Sequence, residues 1–289
     1  MSELYAPLIT PFDAEESLDI DGFLKNLAWY EGQPLDGYLI NGSSGEAEML
    51  TREEQRHLLN VARRHSERKL FFGIAPTSVR GAIEELGQLE GVALEGVLVR
   101  TPSYFGSQLD QSGFYREVAD ASPWPIFIYQ IPQNTGVKLD ERVLSKLMEH
   151  PNIGGIKDSL GDLSLLGEVN LRPGFRYLLG AANLLLAGVR GGAGGGILAL
   201  ANVVPEACRH LLDLAGAGEW EEAATLQRRL NPLNRAIGGS RGYGIAGLKA
   251  AVAARGLVGG APRRPLQPLP EEGERELKRL VEDALTLRL

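Results

Sequence analysis

The chain has 289 residues and a formal net charge of −7, from 30 Lys and Arg side chains against 37 Asp and Glu. Apolar residues make up 44% of the sequence, which excludes intrinsic disorder for most of the chain and predicts a sizeable core. The acidic balance argues against a nucleic-acid partner, and no apolar run reaches the ~20 residues that a membrane-spanning helix requires.

Cysteine and histidine usage indicates the compartment and the kind of chemistry. Cys208 is the single cysteine, so no internal disulfide can form, and we expect a cytoplasmic protein. The first residues lack the basic and apolar regions of a signal peptide, which supports the same expectation. The four histidines are isolated, with no HxH or HExxH spacing, so we expect no metal site built by the protein.

Eight short apolar runs, most of them bounded by Gly, Pro, Ser or Asn, predict buried strands of a parallel sheet. They cover Ala6–Thr10, Gly37–Asn41, Leu70–Ile74, Gly96–Arg100, Pro125–Tyr129, Ile153–Lys157, Arg176–Leu179 and Gly194–Leu198. Amphipathic stretches predict helices at Asp21–Trp29, Arg52–Arg68, Val79–Leu89, Gln111–Ala121, Asp140–His150, Asp162–Val169, Ala182–Val189 and Pro205–Ala215. Thr51 and Glu54 have the spacing of a capping box at the start of the second of these helices.

Eight alternations of strand and helix predict a (β/α)8 TIM barrel over residues 1–215. A doubly wound open sheet has the same alternation, and periodicity alone does not exclude it. After residue 215 only helices are predicted, at Glu219–Asn231, Ile245–Arg255 and Glu271–Leu287. We therefore expect residues 216–289 to form a C-terminal helical extension rather than an independent domain.

Lys157 differs from the other lysines in its position. It ends the sixth apolar run, whereas the other six lysines fall in predicted loops or helices. A lysine at the end of a buried strand is partly removed from water, which favours the neutral amine that can attack a carbonyl group. The spacing alone favours a simpler structure, in which Lys157 forms an ion pair with Asp158 or Asp162.

Hydroxyl-bearing residues follow several other predicted strands, at the end of the barrel where active sites lie. Ser43 and Ser44 stand between glycines after the second strand. Tyr104 follows the fourth strand, and Tyr129 ends the fifth. Taken singly, a Gly-Ser-Ser-Gly segment is typical of a turn that caps a helix, and the tyrosines are typical of a barrel rim. The segment matches neither a phosphate-binding loop nor a nucleophile elbow.

Five short segments occur together in order, and jointly they resemble the dihydrodipicolinate synthase / N-acetylneuraminate lyase family of Schiff-base (β/α)8 enzymes. The segments are Thr10-Pro11-Phe12, Gly42-Ser43-Ser44-Gly45-Glu46, Thr101-Pro102-Ser103-Tyr104, Tyr129-x-x-Pro132-x-x-Thr135-Gly136 and Gly155-Ile156-Lys157-Asp158. The resemblance spans essentially the whole chain, including the helical extension. It implies an aldolase without metal or cofactor that acts on pyruvate and an aldehyde and assembles as a homodimer or homotetramer.

The resemblance also implies roles for individual residues. Lys157 matches the lysine that condenses with the keto carbon of pyruvate, and Tyr129 matches the tyrosine that relays protons. Ser43 matches the hydroxyl of that relay. Tyr104 matches a relay tyrosine that enters the site from a neighbouring subunit in many family members. The implied substrate-binding residues are Gly42, Ser44, Asn134, Ser159, Gly180 and Ile197.

Departures from the family pattern indicate the substrate. Asn134 stands where dihydrodipicolinate synthases typically carry an arginine that grips a substrate carboxylate, and Ala181-Ala182 replaces their acidic pair. A neutral amide cannot supply the paired, charge-assisted hydrogen bonds of an arginine. The chain is therefore more similar to 4-hydroxy-2-oxoglutarate aldolases, which it also resembles in the segment His150-Pro151-Asn152-Ile153. In that resemblance Ser159 lies near the acceptor half of the substrate.

We therefore expect cleavage of 4-hydroxy-2-oxoglutarate to pyruvate and glyoxylate. Two alternatives within the family are condensation of pyruvate with aspartate semialdehyde by a dihydrodipicolinate synthase, and cleavage or dehydration of a 2-keto-3-deoxy sugar acid. A 2-oxo acid binding or regulatory protein on the same barrel is an alternative of a different class. The relay disfavours it, because binding alone has no use for Lys157 beside Tyr129.

Overall fold

The structure is a computed structural model that describes residues 2–239 and 242–286. Eight parallel strands pair in chain order, and the eighth pairs with the first, so the sheet is a closed barrel. Helices connect the successive strands, and further helices follow the last strand. The predicted (β/α)8 barrel with a C-terminal helical extension is therefore confirmed, and the open sheet is excluded.

The strands are short and mostly buried. They are β1 (Glu3–Pro7), β2 (Gly37–Ile40), β3 (Lys69–Ile74), β4 (Gly96–Arg100), β5 (Ile126–Gln130), β6 (Ile153–Asp158), β7 (Arg176–Leu179) and β8 (Gly195–Ile197). The α-helices of the described residues are α1 (Ile20–Glu31), α2 (Arg52–His65), α3 (Val79–Gly87), α4 (Gln111–Ala121), α5 (Pro132–Thr135), α6 (Glu141–Met148), α7 (Ser164–Glu168), α8 (Leu185–Arg190), α9 (Pro205–Ala217), α10 (Trp220–Ala236), α11 (Gly244–Ala254) and α12 (Glu271–Leu285). The predicted end of the last helix, Leu287, lies outside the described residues.

The first strand is displaced from its predicted position. The apolar run Ala6–Thr10 predicts a strand there, whereas β1 ends at Pro7. Leu8 and Ile9 are buried beyond the end of the strand. The hydroxyl of Thr10 donates a hydrogen bond to a carbonyl of the loop after β2, that of Gly45 (2.7 Å). The apolar run outlasts the strand because the loop after β1 is itself covered.

The start of helix α2 follows the sequence prediction. The side chain of Thr51 accepts a hydrogen bond from the amide of Glu54 (3.2 Å), and the Glu54 carboxylate accepts one from the amide of Thr51 (2.8 Å). These reciprocal bonds form a capping box and satisfy two amides that the first turn leaves without partners. They fix the point at which the loop after β2 enters α2.

The barrel interior is filled at its amino-terminal end. The rings of Tyr5, Phe71 and Phe127 pack edge to face, with centroids 5.0 Å apart for the first pair and 4.8 Å for the second. Next to them Arg176 lies over the Phe127 ring (4.5 Å) and forms an ion pair with Glu3 (3.4 Å). Space for a substrate is therefore left at the carboxyl-terminal end of the strands, as in other barrels of this type.

The C-terminal helices pack onto the barrel. Leu230 of α10, Val252 of α11 and Val281 of α12 are completely buried in the same hydrophobic core as Leu4 of β1. Helix α9 continues to Ala217, past the predicted boundary at residue 215, and the division into 1–215 and 216–289 stays a prediction. In the described part of the chain, every helix is too short or too polar to cross a membrane.

Candidate active site

Lys157 and Tyr129 occupy neighbouring strands at the carboxyl-terminal end of the barrel. They are paired in register on β6 and β5, and both are buried, with 5% and 6% of their surface exposed. Nζ of Lys157 lies 4.3 Å from the centroid of the Tyr129 ring. The phenol oxygen of Tyr129 lies 3.3 Å from Oγ of Ser43, in a hydrogen bond that either oxygen can donate. The structure thus places an amine, a phenol and a hydroxyl in one continuous group.

The ion pair that the spacing favours for Lys157 is not formed, and that expectation was wrong. The Asp158 carboxylate instead accepts hydrogen bonds from the hydroxyl of Tyr177 and from Nε2 of Gln130 (3.0 Å). Successive side chains of a strand point to opposite faces, so Asp158 points away from the interior that Lys157 faces. Asp162 is exposed and bonds within its own turn. Within residues 2–239 and 242–286, no carboxylate forms an ion pair with Lys157.

The hydrogen bonds of Asp158 join three neighbouring strands, since Gln130 lies on β5, Asp158 on β6 and Tyr177 on β7. Burial, reinforced by the neighbouring Asp158 carboxylate, raises the pKa of Tyr177 far above its usual value, so its hydroxyl stays a donor. Gln130 directly follows Tyr129, and Asp158 directly follows Lys157. The hydrogen bond between Gln130 and Asp158 therefore fixes the relative position of the phenol and the amine.

The loop after β2 is held by partners from distant parts of the chain. Ser43 begins a single 3₁₀ turn, and the amide of Glu46 donates to the carbonyl of Ser43 (3.1 Å). Glu46 has a left-handed backbone conformation (φ 58°), which is costly for a residue other than glycine. Its carboxylate is buried against Nζ of Lys249 (2.6 Å), which also donates to the carbonyl of Thr10 (2.8 Å). These contacts offset the strain and hold Ser43 beside Tyr129.

Of the predicted substrate-binding residues, Ile197 lies in the barrel interior, whereas Ser159 and Gly180 lie together just beyond the ends of β6 and β7. Ile197 of β8 is buried in the same cluster of inward-facing side chains as Tyr129. Gly180 follows β7 and lies against Ser159, so closely that a Cβ atom at position 180 would overlap Oγ of Ser159. Glycine is therefore required at position 180 for the serine to occupy this place.

Gly42 and Ser44 are the chain neighbours of Ser43 at the turn after β2. Two other predicted site residues, Asn134 and Tyr104, lie at the exposed rim of the barrel. Asn134 is in the short helix α5, and its side chain is exposed. Tyr104 is 87% exposed, and its ring packs edge-on against Phe105, with centroids 4.9 Å apart. Within one chain, neither rim residue is brought into the group formed by Lys157, Tyr129 and Ser43.

A small cavity beside this group contains charged residues that the sequence analysis does not single out. Ser43, Tyr129 and Arg100 contribute to its lining, and so does Glu48. The guanidinium of Arg100 donates a hydrogen bond to the Glu48 carboxylate. Burial lowers the pKa of Arg100 from its ordinary value. Arg100 ends an apolar run, as Lys157 does. The same sequence feature, a cation at the end of a predicted buried strand, could therefore have identified Arg100 as a candidate site residue.

The chemistry available to these side chains is nucleophilic attack and proton transfer. An amine can add to a carbonyl carbon, and a phenol bonded to a hydroxyl can carry protons to and from the adduct. Among the described residues, no group of three or more His, Cys, Asp or Glu side chains is placed to hold a metal ion.

Comparison with known proteins identifies the family. The profile described as the Dihydrodipicolinate synthetase family matches residues 1–284. The chain belongs to this family. Its members are carbon–carbon lyases, and the family likeness therefore assigns the chain to that class of enzyme.

Relatives at nearly equal identity are named for different reactions. The chain is 32% identical to 4-hydroxy-tetrahydrodipicolinate synthase 1 of Streptomyces coelicolor, over 92% of this chain and 88% of the relative. It is 33% identical to L-threo-3-deoxy-hexylosonate aldolase of Hypocrea jecorina, over 94% and 95%. It is 30% identical to a protein of Emericella nidulans assigned as a mitochondrial 4-hydroxy-2-oxoglutarate aldolase, over 98% and 95%. The likeness therefore identifies the family but not the substrate.

A solved structure supports the same family fold. The crystal structure of dihydrodipicolinate synthase from Aquifex aeolicus matches with a TM-score of 0.88 at 25% identity. The match covers 98% of this chain and 97% of the other. The helical extension is therefore part of the shared fold.

Proposed function

We propose that the protein is a class I aldolase that cleaves 4-hydroxy-2-oxoglutarate to pyruvate and glyoxylate through an imine on Lys157. One observation carries the proposal, namely the buried amine of Lys157 4.3 Å from the centre of the Tyr129 ring, whose hydroxyl reaches Ser43 at 3.3 Å. An amine that is not committed to an ion pair is available to attack a keto carbon. The phenol is placed to move the protons that this reaction requires.

In the proposed reaction, Nζ of Lys157 bonds to C2 of the 2-oxo acid. One proton from the amine and one from Tyr129 pass to the C2 oxygen, which leaves as water. The resulting iminium withdraws electrons from C3. Removal of the proton from the C4 hydroxyl by Tyr129 breaks the C3–C4 bond, and the bonding pair forms an enamine while glyoxylate departs. Protonation of C3 and hydrolysis release pyruvate and restore the amine. Ser43 passes protons to and from Tyr129.

The turn after β2 supplies hydrogen-bond donors for the C1 carboxylate. The first amides of a 3₁₀ turn, here those of Ser43 and Ser44, have no acceptor within the turn. Successive backbone N–H groups of this kind attract anions. Ser43 of this turn bonds Tyr129, whose ring lies beside Lys157, so binding of the carboxylate there would bring C2 toward Lys157.

The test of the substrate is a comparison of turnover on three compounds. We expect the highest kcat/KM for pyruvate release from 4-hydroxy-2-oxoglutarate, followed with lactate dehydrogenase and NADH. Asn134 supports this order, since its neutral amide cannot replace the arginine that holds aspartate semialdehyde in the related synthases. A higher kcat/KM for condensation of pyruvate with aspartate semialdehyde would overturn the proposed substrate. A higher value with a 2-keto-3-deoxyhexonate would favour the sugar-acid aldolase, which is the second candidate because of the Hypocrea jecorina relative.

Replacing Tyr129 with Phe tests the proton relay. Tyr129→Phe keeps the ring beside Lys157 and removes the hydroxyl that bonds Ser43, so we expect kcat for pyruvate release to fall by about 10²- to 10⁴-fold. Tyr38→Phe is the matched control, because Tyr38 is an equally buried tyrosine on β2 whose hydroxyl bonds Glu31 instead (2.9 Å). A fall of less than tenfold in Tyr129→Phe, or an equal fall in the control, would contradict the proposed role.

Assembly and location are part of the proposal. We propose a homodimer or homotetramer in which the exposed ring of Tyr104 contacts a second subunit, since exposed aromatic pairs are typical of contact surfaces. The cytoplasmic location stays a prediction.

A further inference from the structure

Arg100 points into the barrel at the same level as the proposed nucleophile. Leu98, two residues earlier on β4, belongs to the inward-facing cluster, and alternation along a strand turns Arg100 to the same side. Arg100 is paired in register with Tyr129, which is in turn paired with Lys157. Two strand spacings of ~4.8 Å separate Arg100 from Lys157, so their backbones lie about 10 Å apart with Tyr129 between them.

Arg100 has hydrogen-bonding capacity left for a ligand. Among the described residues that line the cavity, it is the one cation, and its side chain is 21% exposed. The guanidinium bonds Glu48 through Nη1 alone, and the other nitrogens have no acceptor among the described residues. A guanidinium offers five donors, and its free edge matches the two oxygens of a carboxylate.

The cavity wall also presents an unused acceptor. Oδ1 of Asn41 is buried and has no hydrogen-bond partner in the described part of the chain. Asn41 lines the same cavity as Arg100 and Tyr129. The wall of this cavity therefore has hydrogen-bonding capacity beyond that of Arg100.

We propose that Arg100 binds the carboxylate at the far end of the substrate, C5 of a 4-hydroxy-2-oxo diacid, and so selects diacids over substrates with one carboxylate. This inference rests on the proposed function. With C2 attached to Lys157, a five-carbon chain that passes Tyr129 brings its C4 hydroxyl to the phenol and its C5 carboxylate toward Arg100. Glu48, which lines the same cavity, occupies one nitrogen of the guanidinium and leaves the others for the substrate carboxylate. Arg100 thereby supplies a positive charge for the substrate carboxylate, which the neutral amide of Asn134 cannot supply.

The test compares a diacid with a monoacid. Values of kcat/KM are measured for 4-hydroxy-2-oxoglutarate and for 4-hydroxy-2-oxopentanoate, which has a methyl group in place of the second carboxylate. We expect the diacid-to-monoacid ratio of these values to fall by about 10- to 100-fold in Arg100→Gln. The fall should be smaller in Arg100→Lys, which keeps the positive charge but lacks the planar pair of N–H donors. Arg80→Gln is the control, because Arg80 is exposed on α3 and pairs with Glu84.

Two further variants, Glu48→Gln and Ser159→Ala, test whether Arg100 or another residue recognises the second carboxylate. Glu48→Gln is expected to raise the diacid preference, because the guanidinium is then no longer shared with a protein carboxylate. An unchanged ratio in Arg100→Gln, or a fall in Glu48→Gln equal to that in Arg100→Gln, would overturn the inference. So would a selective loss in Ser159→Ala instead of Arg100→Gln, because Ser159 lies on the other side of Lys157.

The proposed function can fail separately from this inference. Borohydride reduction of the wild-type protein with pyruvate shows whether the imine forms at all. If no adduct forms, the proposed function is overturned and the inference falls with it. If the adduct forms and the ratio is unchanged in Arg100→Gln, the inference alone is overturned.

Discussion

Replacing Lys157 with Ala is expected to lower kcat/KM for pyruvate release by at least about 10³-fold, because the amine that forms the covalent bond is removed. No other described lysine is paired in register with Tyr129, so we expect no substitute nucleophile. The loss should reside in kcat, since the amides that hold the C1 carboxylate are unchanged. The measurement is steady-state turnover of 4-hydroxy-2-oxoglutarate.

The fold is expected to survive this substitution. Lys157 has no ion-pair partner among the described residues, so its removal leaves no buried carboxylate without a counter-charge. Urea unfolding should show that Lys157→Ala is at least as stable as the wild type. Lys278→Ala, an exposed change on α12, is the control. Retention of more than a tenth of the wild-type activity by folded Lys157→Ala would contradict the assignment.

Replacing Lys249 with Met is expected to lower the free energy of unfolding by about 3–5 kcal/mol. Lys249 and Glu46 form an ion pair in which the side chains are 1% and 0% exposed, with Nζ and Oε1 2.6 Å apart. Burial lowers the pKa of Lys249 from its usual 10.5, and the Glu46 carboxylate opposes that shift. Removing the ammonium leaves the carboxylate buried without its partner, which is the costly way to break such a pair.

A double variant shows whether the loss comes from the unpaired charge. Lys249→Met with Glu46→Gln removes both charges, and we expect it to recover most of the stability that Lys249→Met loses. The exposed substitution Lys278→Met should change the free energy of unfolding by less than about 0.5 kcal/mol. The free energy of unfolding of all these variants is measured by urea denaturation. A loss below about 1 kcal/mol in Lys249→Met, or no recovery in the double variant, would contradict the account.

The same ion pair links the helical extension to the site. Lys249 lies on α11, whereas the amide of Glu46 donates to the carbonyl of Ser43. A strained residue keeps its conformation when its surroundings hold it, and here the holding group comes from the extension. We therefore expect folded Lys249→Met to lose kcat as well, because Ser43 is no longer held beside Tyr129.

The barrel could be predicted because each of its strands is buried on both faces and therefore forms an apolar run. For β6 the predicted Ile153–Lys157 and the observed Ile153–Asp158 differ at one end. The first strand was placed too late because Leu8 and Ile9 are buried in the loop beyond the end of β1 and do not belong to the strand. An apolar run indicates that a segment is buried, but it does not distinguish a strand from a buried loop.

The site was predictable in part. Lys157 is visible in the sequence as a cation at the end of an apolar strand, whereas its partners depend on which side chains face inward. Lys249 carries no such signal, because it lies on a predicted helix and its partner Glu46 is 203 residues away. Only the folded chain brings the two together, and no local pattern predicts an ion pair between them.

The imine on Lys157 is tested most directly by the mass of the protein after incubation with pyruvate and reduction with borohydride. We expect one reduced pyruvate per chain, located on the peptide that contains Lys157, and no such mass increase in Lys157→Ala. Absence of the adduct in the wild type, or its persistence in Lys157→Ala, would contradict the assignment of Lys157 as the residue that forms the imine.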